Sequence, residues 1–413
     1  MVGNHVLRCM GTLMLAATVT VACAPGPANG TLSLSVSGLP DGVAAAVHVA
    51  GAGVALDLTA AGSVRLPAGT YTITVMPVVG AEAIAQTVYD GSAGAASVVV
   101  AVAETISVDI SYARRPGTHR VWTSGGSGVH AFAPDAWDAS GTVSPTSTLS
   151  LPPGWHDTQD IAFAPNGDLY TAAWTDGGIV RYTAADLDTH GAAPAGFVPV
   201  PGVSALAWHD GRLYAMRETS QALLRFDDPE AIVGDAVTVP DADIALTGYS
   251  GSGSSAGLAF DADGRLWMAF RQALVRLDDP TVPVGCTSAT PNAVLALPTA
   301  APRYALTYRD GALYTAPCGL GTIERFDGID AATGVAAAVP TVANAVGMTC
   351  VVSIGMDASD RFWLGDARDV AGRFPDLDTL ADGATVAPLV TIRHDLFLSA
   401  GSVAFHALGL GGP

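Results

Sequence analysis

Three constellations in this 413-residue chain carry side chains able to do chemistry. Asp261-Ala262-Asp263-Gly264 sets two carboxylates two residues apart before a glycine, a spacing with which calcium loops gather oxygen ligands. Gly248-Tyr249-Ser250-Gly251-Ser252 approaches the Gly-x-Ser-x-Gly turn that presents a nucleophilic serine, but Ser252 stands where that turn needs glycine. The third set is scattered: Trp155, His156, Asp160, Trp174, Asp176, Arg217, Glu218, Tyr249, Arg271, Arg303, Tyr304, Asp366, Arg368, His394 and Asp395. Aromatics, imidazoles and both charge signs would form a recognition surface if the fold gathered them on one face.

The elements that must position these residues are declared by a repeat. IAFAPNGDLY begins at Ile161, LAWHDGRLY at Leu206, LAFDADGRLW at Leu258, LTYRDGALY at Leu306, IGMDASDRFW at Ile354 and a truncated VAF at Val403, in steps of 45 to 52 residues. That period belongs to propeller blades. Each copy reads as an innermost strand with a small central residue (Ala162, Ala207, Ala259, Thr307, Gly355, Ala404), a turn at a polar-glycine pair, and a second strand ending in an aromatic. Third strands carry Arg181, Arg225, Arg276, Arg325 and Arg373, and a less regular fourth strand completes a meander. Arg120 to Phe132 matches strands two and three without a strand one, while Ser402 to His406 matches strand one alone. Joined, the two ends make a sixth blade and close the ring, which removes exposed edges.

The repeat also sorts the chemistry. The slot of Asp261 to Gly264 holds APNG, HDG or RDG in other blades, so it reads as a turn rather than a calcium site. The recurrent arginines read as structural partners of nearby acids such as Asp227, Asp228, Asp278 and Asp279. In an up-and-down meander the four-to-one connections share a face with the two-to-three turns. The scattered set falls on those connections and turns, which makes that face the expected binding face. Asp241 to Ala256 reads as a Gly/Ser-rich flap over it.

The signature DxDGRLW at Asp261 to Trp267 resembles the NHL and SMP-30/gluconolactonase-like six-bladed propellers, over roughly residues 119 to 411. The gluconolactonase-like branch implies a divalent metal near the axis, held by Glu and Asn/Asp ligands. Here Asn166 lies on the opposite face, no Glu begins an innermost strand, and only Asp160 offers a carboxylate beside the axis. The expectation is therefore no metal, no cofactor and no catalytic residue, with a metal-dependent gluconolactonase-like hydrolase as the alternative.

Ahead of the propeller, residues 31–113 alternate apolar and polar, as in Leu32, Leu34, Val36 or Ile106, Val108, Ile110, with turn signals between. This predicts a small β-sandwich, which resembles immunoglobulin-like or carboxypeptidase-regulatory-like domains. Residues 114–118 form a linker and 119–413 the propeller. The fold class is all-β.

At the start, Arg8 and the apolar run Met10 to Val21 read as an export signal over 1–23, followed by a 24–30 tether. Thr20-Val21-Ala22-Cys23 resembles the lipobox of bacterial lipoproteins, which implies a lipid on Cys23 and a membrane as partner. Ala22-Cys23-Ala24 also fits ordinary signal cleavage, with Pro25 next in line. Of the later cysteines, Cys318 and Cys350 fall on one face in neighbouring blades and are expected to pair, leaving Cys286. The formal charge of -19 includes no lysine, so every base but histidine is arginine. A catalytic lysine is excluded and nucleic acid is disfavoured as a partner. The expected product is an exported protein, membrane-anchored on the extracytoplasmic side, that binds a small molecule, glycan or protein.

Overall fold

The computed structural model describes residues 28–80, 84–126, 128–174, 177–218, 220–235, 239–247, 257–281, 287–357, 359–398 and 403–405. The chain is all-β and divides into two compact units. The smaller takes 28–37, 46–75 and 93–111. Here Asn29–Ser37 pairs antiparallel with Gly62–Pro67 and parallel with Thr105–Arg114. A second sheet runs Val54–Leu58, Val47–Gly51, Gly69–Val75, Ser97–Val100. The alternation read from the sequence is the reason these strands hold. Leu32, Leu34, Val47, Val49, Tyr71, Ile73, Val108 and Ile110 are buried, and their neighbours along each strand are more exposed.

The larger unit contains the described residues of 112–405 together with those of 38–45 and 76–92. Those two segments lie within the residues expected to form the first domain, yet they pack with the propeller. Ile84 and Ala85 are buried in one cluster with Trp137 and Trp363. The Arg115 guanidinium donates to both Asp90 oxygens, and the Arg115 and His119 N–H groups donate to Val88 and Gln86 carbonyls.

Six four-stranded meanders make up the rest. Blade one is Thr158–Phe163, Leu169–Ala173, Ile179–Tyr182 and Gly196–Val198; blade two is Val203–His209, Arg212–Arg217, Ala222–Phe226 and Ala242–Leu246. Blade three is Gly257–Phe260, Leu266–Ala269, Ala273–Leu277 and Ala293–Ala296; blade four is Leu306–Arg309, Ala312–Thr315, Thr322–Asp327 and Thr341–Ala345. Blade five is Val351–Met356, Phe362–Asp366, Arg368–Arg373 and Val390–Leu398. Blade six takes its innermost strand from Val403–Phe405, antiparallel to Val121–Gly125, followed by Gly128–Phe132 and Ser147–Ser150. Each innermost strand contacts the next, and Val403–Phe405 touches both Val351–Met356 and Thr158–Phe163, so the ring is closed. Because Ala242–Leu246 is a blade strand, only 248–256 remain of the expected flap, and these lie outside the described residues.

A second closure runs around the rim. The connection between strands three and four of each blade runs along the outer edge of the blade before it, and in four blades it forms a short parallel strand there. Ser288–Ala289 adds to blade two, Gly334–Ala337 to blade three, Thr385–Val386 to blade four and Gly141–Thr142 to blade five. Gly234 bridges to Gly196 of blade one, where a side chain on Gly196 would come within 2.5 Å of the Ile232 carbonyl. Gly191 and Ala192 exchange backbone bonds with Thr148 and Ser150 of blade six.

Candidate functional site

The repeated polar residues resolve into structural work. The Asp261 carboxylate accepts from Asp263 N, Arg265 N, Arg265 Nε and Trp267 Nε1, at 2.8–3.1 Å. Asp357 accepts the same four from Ser359, Arg361 and Trp363. The aspartate of the repeat thus ties its own turn to the buried tryptophan of strand two, with no lone pair directed at an ion. Third-strand arginines staple blades together. Arg181 bonds Asp168 and the carbonyls of Glu230 and Ile232 in the next blade. Arg276 likewise bonds Asp278 and the carbonyls of Ile329 and Asp330, and Arg325 bonds Asp327 and the Asp378 carbonyl.

Around the axis, the decisive position is the one just before the repeat's first residue: Asp160, Ala205, Gly257, Ala305 and Ser353. Asp160 Oδ1 accepts the Ile161 N–H and Oδ2 accepts the Leu206 N–H of the next blade, both at 2.8 Å. Ser353 Oγ accepts the Val403 N–H of its next blade at 3.1 Å. Both side chains clasp innermost strands that share no ladder bonds. At Gly257 the strands approach directly, since a Cβ there would stand 2.7 Å from the Leu306 Cβ. Glycine is required by that approach.

Between these strands an axial cavity of about 50 Å³ is lined by Asp160, Gly257, Leu258, Tyr304, Ala305, Leu306, Val352, Ser353 and Ile354. At roughly 10–15 Å³ per water, it holds about three to five water-sized groups. Burial raises the Tyr304 phenol above its ordinary value, the Glu218 carboxylate adds to the rise and Arg271 opposes it. Tyr304 is therefore a neutral O–H donor at physiological pH.

The expected face is partly gathered. Asp160 and Tyr304 line the cavity, and Glu218 and Arg271 act on Tyr304 from neighbouring turns. Trp174 is 38% exposed and His156 is exposed beside Asp157, whereas Trp155 packs edge-on against Phe197. Arg217 is paired with Asp243, and Arg368, though exposed, donates to Asp366. Two expectations are corrected. Arg303 is fully buried, bonded to Glu324 at 2.9–3.0 Å and to the carbonyls of Arg271, Thr299 and Ala301, so it presents nothing to a ligand. Burial pushes the Glu324 carboxyl up and Arg303 holds it back. Asp366 is buried too, and its carboxylate fixes the Thr349 and Cys350 N–H groups. His394 meets Phe132 edge-on, with ring centroids 5.5 Å apart. Asp176, Tyr249, the Asp395 side chain, Cys23 and Cys286 lie outside the described residues.

Cys318 and Cys350 form a disulfide with 3.9 Å between Cα atoms, joining a blade-four turn to the start of blade five. The residues that metal chemistry would need do not fit it. Asp160 spends its oxygens on main-chain N–H, and among the described residues no three His, Cys, Asp or Glu side chains could hold an ion. Gly257, Ala305 and Ser353 were absent from the sequence-derived set. They sit one residue upstream of the repeat, and aligning the copies one letter further back exposes them as a ring.

No protein-family model and no curated protein matches the chain. Solved structures with similar backbones include virginiamycin B lyase from Staphylococcus aureus, at 13% identity over 53% of this chain and 81% of that one, TM-score 0.36. A streptogramin B lyase is 12% identical over 71% and 86%, TM-score 0.42. A protein of unknown function from Bacteroides caccae is 9% identical over 69% and 98%, TM-score 0.47. At such similarity the blade assignment rests on the strand pairing itself.

Proposed function

We propose that this chain is an exported binding protein, held at a membrane by lipid on Cys23, whose propeller engages a small molecule, glycan or protein at its axial face. One observation carries the reading: the axial cavity is lined by the repeat's own Leu258, Leu306 and Ile354 together with Asp160, Tyr304 and Ser353, which differ from blade to blade, and Glu218 and Arg271 lie within electrostatic reach of Tyr304. A cavity this small takes the tip of a ligand, leaving the remainder to the surrounding turns. Acyl chains on Cys23 would each add about 0.8 kcal/mol per buried methylene, enough in combination for durable attachment.

Thermal-shift titration of the mature protein with mono- and disaccharides and dipeptides tests the face. A probe at a hundred times its dissociation constant adds about 2.7 kcal/mol, and its effect is expected to vanish in a Tyr304→Ala Arg271→Ala variant. Stabilisation by Ca²⁺, Zn²⁺ or Mg²⁺ that disappears in Asp160→Asn would instead support a metal-dependent hydrolase. Mass spectrometry of the mature N-terminus tests the anchor, since an unmodified start at Pro25 would refute it.

A further inference from the structure

The axial cavity presents main-chain N–H groups whose counterparts elsewhere in the ring are clasped by side chains, and we infer that it is a carboxylate-binding site, a reading that deepens the proposed binding role and rests on it. In an antiparallel pair, alternate N–H groups bond the partner strand and the others point away. Bonds from Ala164 N–H to the Asp168 carbonyl and from Asp261 N–H to the Arg265 carbonyl fix that parity. The N–H of the repeat's first residue is therefore directed away from strand two, toward the axis. Three such donors are satisfied internally: Ile161 and Leu206 by the Asp160 carboxylate, and Val403 by the Ser353 hydroxyl. The other three belong to Leu258, Leu306 and Ile354, and the clasp positions facing them are Ala205, Gly257 and Ala305, which carry no acceptor. No side chain among the described residues accepts from these three N–H groups as Asp160 and Ser353 do from theirs, and all three residues line the cavity. A Cβ on Gly257 would stand 2.8 Å from the Leu306 nitrogen, so the direction along which Asp160 reaches Leu206 is left without a side chain here.

The protein itself displays the occupant these donors select, a carboxylate oxygen 2.8 Å from a first-residue N–H. Preorganised main-chain donors favour an anion over a neutral amide, because hydrogen bonds to a charged acceptor are the stronger class. Tyr304, which bears a phenol O–H, lines the same cavity, and the cavity has room for the three heavy atoms of a carboxylate. With a formal charge of -19 the molecule draws no anion from a distance, so selection rests on these short-range donors. The carboxylate could belong to a free small acid or to the end of a peptide.

The test uses the full mature chain labelled with ¹⁵N at leucine and isoleucine, titrated with sodium acetate, with acetamide and with chloride-matched salt. Leu258, Leu306 and Ile354 amide signals are expected to move saturably with acetate and to stay still with acetamide. Ala305→Asp, which by the Asp160 precedent supplies the Ile354 N–H from within, is expected to weaken acetate about tenfold or more, the loss of one charge-assisted hydrogen bond. Should that variant misfold, Ala305→Ser makes the same bond with a smaller side chain. Trialanine against its C-terminal amide separates the sources: binding of the acid form tighter than acetate identifies a peptide end, and weaker binding identifies a free acid. Unmoved amides, an equal response to acetamide, or undiminished acetate binding in a folded Ala305→Asp would overturn the inference. Saccharide or dipeptide stabilisation dependent on Tyr304 and Arg271 would in that case leave the binding face standing without it.

Discussion

Asp261 and Asp357 show how one carboxylate can look like a metal ligand in sequence and be a turn clasp in three dimensions. Each is buried to zero side-chain exposure against its arginine and accepts four donors. Asp261→Ala would orphan two backbone N–H groups and the Trp267 Nε1 together, so it should cost about 3 kcal/mol. Urea unfolding checks this, and Asp357→Ala should cost a similar amount; a loss below about 0.5 kcal/mol in either would mean the clasp is redundant. His130 makes a prediction about pH. It is buried, its Nδ1 lies 3.0 Å from Thr148 Oγ1, and its pKa falls from 6.5 to about 4, chiefly through burial, with a backbone bond to Gly125 opposing and the nearby His394 assisting. A folded pKa below the unfolded one means the unfolded chain binds the extra proton between those values. Stability should therefore be fully present above pH 6.5, decline as pH falls, and lose on the order of 3 kcal/mol by pH 4. His130→Gln should flatten the slope between pH 6.5 and 5, above the range where ordinary carboxylates titrate. An unchanged slope in calorimetric scans would assign the acid sensitivity elsewhere.

At the scale of elements, the molecule is closed twice: at the axis by Val403–Phe405 and at the rim by the three-to-four connection of each blade, which bonds to its predecessor, in four blades as a parallel strand. Truncation after Leu398 would remove the innermost strand of blade six and leave Val121–Gly125 with a bare edge, while the rim contacts stay. The expected result is a lower melting temperature and self-association on gel filtration, because an open strand edge is a pairing template. A monomer of unchanged melting temperature would show the axial strand dispensable. The axial closure was legible in sequence because VAF at Val403 repeats the first letters of the other blades. The rim closure was not, since strands of two to four residues such as Ser288–Ala289 carry no periodicity to detect. For the same reason of range, Arg303 read as a residue of the binding face. Only the fold brings Glu324, 21 residues away, against its guanidinium. The clasp ring escaped notice because its function depends on what the neighbouring blade offers, and a repeat read within one blade shows nothing of its junction with the next.

At the scale of the whole molecule, 38 acidic residues face 19 arginines, and many of those arginines are already committed to carboxylates within their own blade or the next. The surplus negative charge is thus spread over a surface whose positive partners are largely spent, and the folded state holds it closer together than the unfolded chain does. Raising ionic strength from 0.01 M to 0.15 M shortens the screening length from about 30 Å to about 8 Å. This weakens long-range repulsion more than the contact pairs, several of which, such as Arg303 with Glu324, are sealed from salt. The melting temperature should therefore rise over that interval and then flatten as the remaining interactions become shorter than the screening length. A fall would mean that exposed pairs such as Arg309 with Asp310 outweigh the repulsion of the whole. The same measurement on the Arg303→Met Glu324→Leu double variant should show the same salt response from a different starting temperature, because a buried pair contributes to the level of stability and not to its dependence on salt.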